Sequence, residues 1–599
     1  MAYTPSWFAA QISSVTAAPV SATAGQQVVV AGPLCVRLSV APGTDVAVSR
    51  DGAVTLVLHG DLVSPRPGIT AVDLLAWYLA RGLAWVAELD GSYALLIIDG
   101  RDGAVVTVTD RLGSRRVYGG RCDGGYGLAS SLGLLPWEDE ALDRIALAGY
   151  LVNGVVHNNR TLLAGVRVLE RACVHRVGPS GVEATPYWEY VFDDSARDTP
   201  VEELQRELAA LVVEAVRRRL PASGALYLSL SAGYDATGIL GALGFALQVP
   251  GVRCVSYSLG GDHPDDDAVI SRAMAAVAGY EHRVIPSYTG DLLQVLAHNV
   301  ALGQGQAHFC DEVQYWTTIG PELQAEAGAL FVGDQAFGFT TPAPPRSYAE
   351  VLRKVYIASF ADLPVLAAWL PAPLFRELSE AWGAELERIV ATCPASAQLE
   401  DVRDYLYLDQ RVSHLILPWR ERFAGTWALV RFPLLDRTIL DFNRRLPPEL
   451  RRSKALWKAT SRSSYPDLFT QPRGRSRYQP AWSEEYARAA PALAALIDAH
   501  DSPLDALIPP ELLLGLLDAH SNTHRAAGSL PARARWLAEK ALGRLRRSLG
   551  QAPGARSQPE GPQHALLLQR LLVLREYLRQ RAAHASRPVA YIHGDADDV

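Results

Sequence analysis

The chain has 599 residues, 49% hydrophobic and 20% charged, with a formal net charge of -7. That length exceeds what one hydrophobic core supports, so two or three domains are expected, and the mild acidity excludes a general electrostatic affinity for nucleic acid. The six cysteines (Cys35, Cys122, Cys173, Cys254, Cys310, Cys393) never reach CxxC spacing, and neither an export signal nor a run of about eighteen apolar residues occurs, which excludes zinc ribbons, disulfide frameworks and membrane spans and leaves a reducing cytoplasm as the expected location.

From Gln26 to Tyr118, β-branched runs such as "AVTLVLHGDLV" and "YALLIIDG" predict a β-rich layer with one helical insert, "ITAVDLLAWYLARGL". A helix is predicted over 142–156, and "VHRVGPSGVEATPYW" predicts a hairpin turning at Pro179-Ser180-Gly181; this first block ends near residue 195. The second block opens with the amphipathic helix "VEELQRELAALVVEAVRRRL". It then alternates the strand "ALYLSLS", the strand "VRCVSYSLGG", the helix "DDDAVISRAMAAVAGY", the strand "HRVIP", a helix over 315–327 and the strand "GALFVGDQAFG". Alternation of this kind predicts parallel strands joined by crossover helices. Beyond "TTPAPPRS" the chain reads as mostly helical, with a mobile linker expected at Gln551–Pro562.

Between strand and helix, "ALYLSLSAGYDATG" (Ala225 to Gly238) carries the most chemistry. Ala232 and Gly233 let backbone N–H groups face a ligand, the following helix adds partial positive charge, and the Ser231 and Thr237 hydroxyls can donate to phosphate oxygens. Asp235 would repel bare phosphates unless Mg2+ lay between them. Alone, the turn reads equally well as a strand-to-helix connection with a capping aspartate. Lysine is rare, only Lys354, Lys454, Lys458 and Lys540, and no function is drawn from it.

Other features read as structural. In "GDHPDDDAV", Asp265 is expected to cap the next helix rather than bind metal. His520 and His524 lie one helical turn apart but lack the company of a zinc motif. Trp419 and Trp427 are expected in core or groove packing, and "RARWLAEKALGRLRRSLG" as a solvated helix face.

"LSAGYDAT" resembles the "SGGxDS" pyrophosphate loop of the asparagine synthetase family and other ATP pyrophosphatases, which cleave ATP to AMP and pyrophosphate. "SYSLGG" is similar to the family's adenine-side strand, and "GDQAFGF" to its "GxxDExFGGY" segment. "DQRVSHLILPWRERFAGTWALVRFPLLDRTILDFNRRLPPEL" resembles "DRxSMAxxxExRxPFLDxxLxxFxxxLPxxL", and "ELDGSYALLIIDGRDGAVVTVTDRLGSRRVYGG" resembles the family's glutaminase signature. The collinear resemblance runs over residues 25–480. It implies an N-terminal Ntn-hydrolase-like β-sandwich of the class II glutamine amidotransferase type (1–195), an α/β parallel-sheet ATP-pyrophosphatase domain (196–480) and a helical C-terminal extension (481–599). It also implies ATP held by Leu230, Ser231, Ala232, Gly233, Tyr234, Asp235, Thr237, Leu259 and Gly333, with Mg2+ on Asp235 and Asp334.

Departures from the pattern point to the substrate. Position 2 is Ala2, where the family's glutaminases have a nucleophilic cysteine, so glutamine hydrolysis is expected to be lost. The glutamate of "ExRxP" falls at Leu429 although Arg431 and Pro433 are kept, and the lysine of the following basic turn is replaced around Arg473 and Arg475. Arg431, Arg473 and Arg475 are therefore the expected catalytic cations. An α-amine with a pKa near ~8 needs little help from a base, whereas an amide nitrogen needs much more. The expectation is an ATP-dependent macrolactam synthetase resembling lasso peptide cyclases, acting on a precursor peptide core beside a leader-binding protein and a leader peptidase. Small-molecule amide ligases of the β-lactam synthetase or ammonia-dependent asparagine synthetase kind, and a catalytically dead peptide-binding scaffold, are the alternatives.

Overall fold

The computed structural model describes residues 3–14, 27–139, 141–259, 266–339, 343–394, 398–470, 480–527 and 560–584. Two six-stranded antiparallel sheets form the N-terminal unit. Period-two alternation sorts their side chains: Ala94, Leu96 and Ile98 meet Phe8, Ala10 and Ile12 of the other sheet, while Leu95 and Ile97 face the helix Ala71–Arg81. That helix starts in a capping box between Thr70 and Asp73. The predicted helix over 142–156 runs Arg144–Asn153, and the predicted hairpin joins Cys173–Gly178 to Gly181–Pro186.

Five parallel strands form the second unit, in the order Glu281–Pro286, Arg253–Ser258, Ala225–Ser229, Ala327–Phe331, Val430–Arg431. Leu226 and Leu228 pack under the helices Val201–Arg218 and Asp267–Val277 on one face, and Tyr227 packs with the helices Leu292–Gly303 and Val313–Glu326 on the other. The direction of strand succession reverses between Ala225–Ser229 and Ala327–Phe331, so the crevice at their carboxyl ends is where an open α/β sheet binds ligands.

Some expectations need correction. The helix Asp267–Val277 is capped by Asp266, whose side chain accepts from Ala268 N–H, and not by Asp265. The last helix begins at Glu560, so the expected linker does not reach Pro562, and its residues 551–559 lie outside the described residues, as does the arginine-rich stretch from Arg533 to Gly550. His520 and His524 lie on the helix Pro510–Ala527. The segments 482–517 and 565–578 contribute Tyr486, Leu493, Leu516, Leu568 and Leu571 to the same core as the parallel sheet. Arg570 donates to the Leu151 carbonyl at 2.7 Å, so the final helix is stitched into the centre of the molecule. The two units are joined by charge: Asp436 is completely buried and accepts from Arg218 at 2.7 Å and from Arg219, which also reaches Asp90 at 3.0 Å.

Buried histidines make the fold acid-sensitive. His414 faces the Asp409 carbonyl at 2.7 Å through Nδ1 and lies 3.1 Å from both the N–H and Oδ1 of Asn159 through Nε2, and with Nδ1 donating and Nε2 accepting the N–H the neutral ring is satisfied. Burial pushes His157 down to about 3, and His282, His308 and His414 to about 4. With folded values below an unfolded value near ~6.5, their contribution is present above about pH 6.5 and is lost as pH falls towards 4, by about 1–2 kcal/mol per ring at pH 5. Denaturant titrations at pH 7 and pH 5 should show a clear loss of stability; equal midpoints would contradict this assignment.

Candidate nucleotide site

The strand Ala225–Ser229 is fixed at its end by Leu230 N–H donating to the Val255 carbonyl at 2.8 Å. The chain then bends through Ser231, Ala232 and Gly233 into the helix Tyr234–Gly241, whose N-cap, Gly233, offers no side-chain acceptor. Ala232 N–H instead meets both carboxylate oxygens of Asp267 at 3.2 Å. Across the crevice, a Cβ on Gly333 would come within 2.9 Å of Ala236 N, so glycine is what lets the end of Ala327–Phe331 pass so close to the turn.

Asp235 lies in the first turn of the helix and is clamped: Lys454 Nζ is 2.6 Å and Trp457 Nε1 2.9 Å from its carboxylate. Ser453 and Lys454 both adopt left-handed backbone (φ 54° and 59°), which turns the lysine towards the bend. Trp457 stacks on Phe337 at 4.9 Å and packs where a Cβ on Gly238 would collide with it.

Asp334 is clamped in turn by Arg420 Nε at 2.8 Å, and Arg420 also reaches Glu312 at 3.4 Å. Glu312 is buried, accepts from Tyr257 Oη and from Trp316 Nε1 at 3.2 Å, and burial pushes its carboxyl above the usual range. Tyr407, which exchanges hydrogen bonds with Gln335, is pushed up by burial and then by the charges of Asp235 and Asp334. One phenol thus senses both aspartates.

The structure brings Leu230, Ser231, Ala232, Gly233, Tyr234, Asp235, Gly333 and Asp334 together at the crevice, and Leu259, 40% exposed, stands just past the end of Arg253–Ser258. Two expectations fail. The Thr237 hydroxyl is buried and donates to the Gly233 carbonyl at 2.7 Å, so it does not point at a ligand. Arg431 is turned away: its guanidinium holds Asp61 at 2.9 and 3.1 Å and donates to the Arg219 carbonyl, so it joins the two units. Arg473 and Arg475 lie outside the described residues, as does Ala2. Ser6 precedes the first described strand, 2.8 Å from His59 Nδ1.

Sequence reasoning missed Lys454, Trp457, Arg420 and Asp267. A signal existed for the first pair: a rare lysine in an arginine-rich chain stands three residues before a tryptophan, at the start of the helix Ala455–Ser464.

Nucleotide phosphate fits the turn because the Ala232 amide already holds an anion, the Asp267 carboxylate. Mg2+ fits less directly. Asp235 and Asp334 are hard oxygen donors, which suffice together with phosphates and water. Among the described residues, however, no cluster of three or more His, Cys, Asp or Glu forms a metal site, and each aspartate holds a protein cation.

A family model of the asparagine synthase domain matches residues 207–542, more than half of the chain. The chain belongs to the asparagine synthase family. A model of the glutamine amidotransferase domain matches residues 70–188, in the N-terminal unit. The asparagine synthase match runs past residue 480 through the helix Trp482–Ala499, in keeping with the shared core. Membership of this family supports ATP-dependent amide ligation. No curated protein matches the chain. Similar solved structures include the allosteric regulatory enzyme of purine biosynthesis, 12% identical over 46% of this chain and 74% of its own, with a TM-score of 0.19. Another is the glutamine phosphoribosylpyrophosphate amidotransferase from B. subtilis complexed with ADP and GMP, 12% identical over 46% of this chain and 59% of its own, with a TM-score of 0.18.

Gly333→Ala should push the turn and the neighbouring strand apart, costing about 1–3 kcal/mol of stability and weakening nucleotide binding. Calorimetric titration with ATP and a thermal melt would check it; wild-type affinity with an unchanged melt would contradict the packing described.

Proposed function

We propose that the protein is an AMP-forming macrolactam synthetase of the lasso peptide cyclase kind. It adenylates an Asp or Glu side chain of a precursor peptide and joins it to the peptide's N-terminal amine. The observation that carries the ATP half of this reading is the anion-accepting turn at Ala232, set at the switch point of the parallel sheet beside two paired aspartates. Leu429, at the position of the family's glutamate, has no ionisable group and lends its carbonyl to Leu330 N–H at 2.9 Å, which favours a nucleophile that needs little deprotonation.

In the first step the substrate carboxylate attacks the α-phosphate of ATP and pyrophosphate leaves. The turn's amides receive the leaving phosphates as Asp267 withdraws, and Lys454 exchanges Asp235 for a phosphate oxygen. Mg2+, when bound, would neutralise phosphate charge between Asp235 and Asp334. In the second step the amine attacks the acyl adenylate, AMP departs with the acyl oxygen's electron pair, and the amine's proton passes to solvent. Closing a ring of about eight residues adds a length-dependent entropy of only ~2 kcal/mol. The precursor peptide, a leader-binding protein and a leader peptidase are its proposed partners, in the cytoplasm.

One observation favours the scaffold alternative: both carboxylates of the site are already clamped and its amide is already filled. A single assay separates the readings. With ATP, Mg2+ and precursor peptides bearing a free N-terminus, the ligase should release pyrophosphate and AMP and form a product lighter by one water, and Asp235→Asn should lower the rate by at least about 100-fold. ADP in place of AMP, or no turnover with any carboxylate, would reject it.

A further inference from the structure

Arg411 lies on the irregular helix Tyr407–Ile416, and its guanidinium sits over three aromatic rings: Tyr356 at 5.1 Å, Phe339 at 5.7 Å and Trp419 at 5.9 Å. Its Nε is buried with no hydrogen-bond partner, and among the described residues no carboxylate pairs with it. Arg111 and Arg570 also have an Nε without a partner, but each donates through its terminal nitrogens to backbone carbonyls, and other arginines of the interior hold an oxygen directly. Arg171 holds Asp409 at 2.8 Å, Arg420 holds Asp334 at 2.8 Å, and Arg116, which lacks a carboxylate, donates to the His414 carbonyl at 3.2 Å. Rings alone are a poor replacement for water around a cation, and burial accordingly pulls Arg411 below its ordinary value.

The place of this group matters. Phe339 lies five residues after Asp334, and it meets both Tyr356 and Tyr407 edge-on at 4.9 and 4.8 Å. Tyr407 feels the charges of Asp235, Asp334 and Arg411 together. The cationic cage therefore adjoins the nucleotide crevice, and it opens to solvent at Tyr356, which is 63% exposed.

We propose that Arg411 and its aromatic cage are the acyl-donor subsite, which holds the carboxylate of the peptide substrate next to the α-phosphate of ATP. The inference rests on the ligase reading. A guanidinium offers a planar fork that pairs a carboxylate through two parallel hydrogen bonds, and the rings confine that fork and receive the apolar atoms beside the carboxylate. The carboxylate that Arg171 and Arg420 find inside the protein is, for Arg411, supplied by the substrate. Arg411 is a binding and positioning residue in this scheme; the turn and Lys454 handle the phosphates.

The test uses the full chain without nucleotide and the probe 4-fluorophenylacetate, followed by fluorine NMR, with the neutral 4-fluorophenylacetamide as its control. Wild type should bind the carboxylate and not the amide. Arg411→Met should weaken carboxylate binding by at least about tenfold, and Arg411→Lys should restore part of it. Because Arg411→Met removes a half-buried charge that has no carboxylate partner among the described residues, its melting temperature should not fall below that of wild type. No carboxylate-dependent binding to wild type, equal binding to wild type and Arg411→Met, displacement by an equal concentration of inorganic phosphate, or a melting temperature lowered by several degrees would each overturn the subsite. Carboxylate binding that depends on Arg411 in a protein that never releases pyrophosphate would leave the subsite standing and remove the ligase reading instead.

Discussion

The carboxyl ends of the parallel sheet are organised by one electrostatic requirement, that a carboxylate at the bend Ser231–Asp235 be matched by a cation. Asp235 gains from the helix N-terminus, but its main partners are Lys454 and Trp457, brought in by a distant segment. Two consecutive non-glycine residues in left-handed backbone are costly, of order 1 kcal/mol or more each. They persist because Trp457 is wedged between Gly238 and Phe337 and carries Lys454 with it. The result is a lysine held by distant packing against the carboxylate at the start of the helix Tyr234–Gly241.

The same logic extends outward. Asp334, Arg420, Glu312 and Tyr257 form a chain around the buried Glu312 in which each charge is answered by a neighbour, and removing one member leaves another uncompensated. At the junction of the two units, burial pushes Asp436 up, but Arg219 and Arg218 outweigh it and hold the carboxyl low, while Asp90 is pushed up by burial and by Asp436 itself. Arg431 spans the same junction to Asp61. The N-terminal sandwich is thereby locked against the edge of the sheet that builds the site, and within it Ser6 and His59 meet near the start of the first described strand.

Much of this was legible in the sequence because it depends on local periodicity. Short β-branched runs such as "YALLIIDG" predicted a β-rich layer, and the succession of strands and helices after Val201 predicted the parallel sheet and the position of its turn. Partners distant in sequence were not legible. Lys454 lies 219 positions from Asp235, and nothing near Asp235 announces it. Arg431 was placed by motif at the reacting atoms, yet its side chain follows Asp61, a choice that only the packing of two domains determines. Thr237 illustrates the local version: a hydroxyl one turn into a helix has a backbone carbonyl four residues back within reach, and that bond wins over an outward pose. The integration of Glu560–His584 into the core was also hidden, because a helix with apolar residues on several sides does not reveal which of them will be covered.

A crystal structure of the protein with Mg2+ and α,β-methylene-ATP would bear on the central claim most directly. The account requires the outer phosphates on the Ser231–Asp235 turn, the Asp267 carboxylate withdrawn from Ala232, and Lys454 shared with a phosphate oxygen. A nucleotide bound elsewhere, or a turn still sealed by Asp267 at saturating nucleotide, would contradict it.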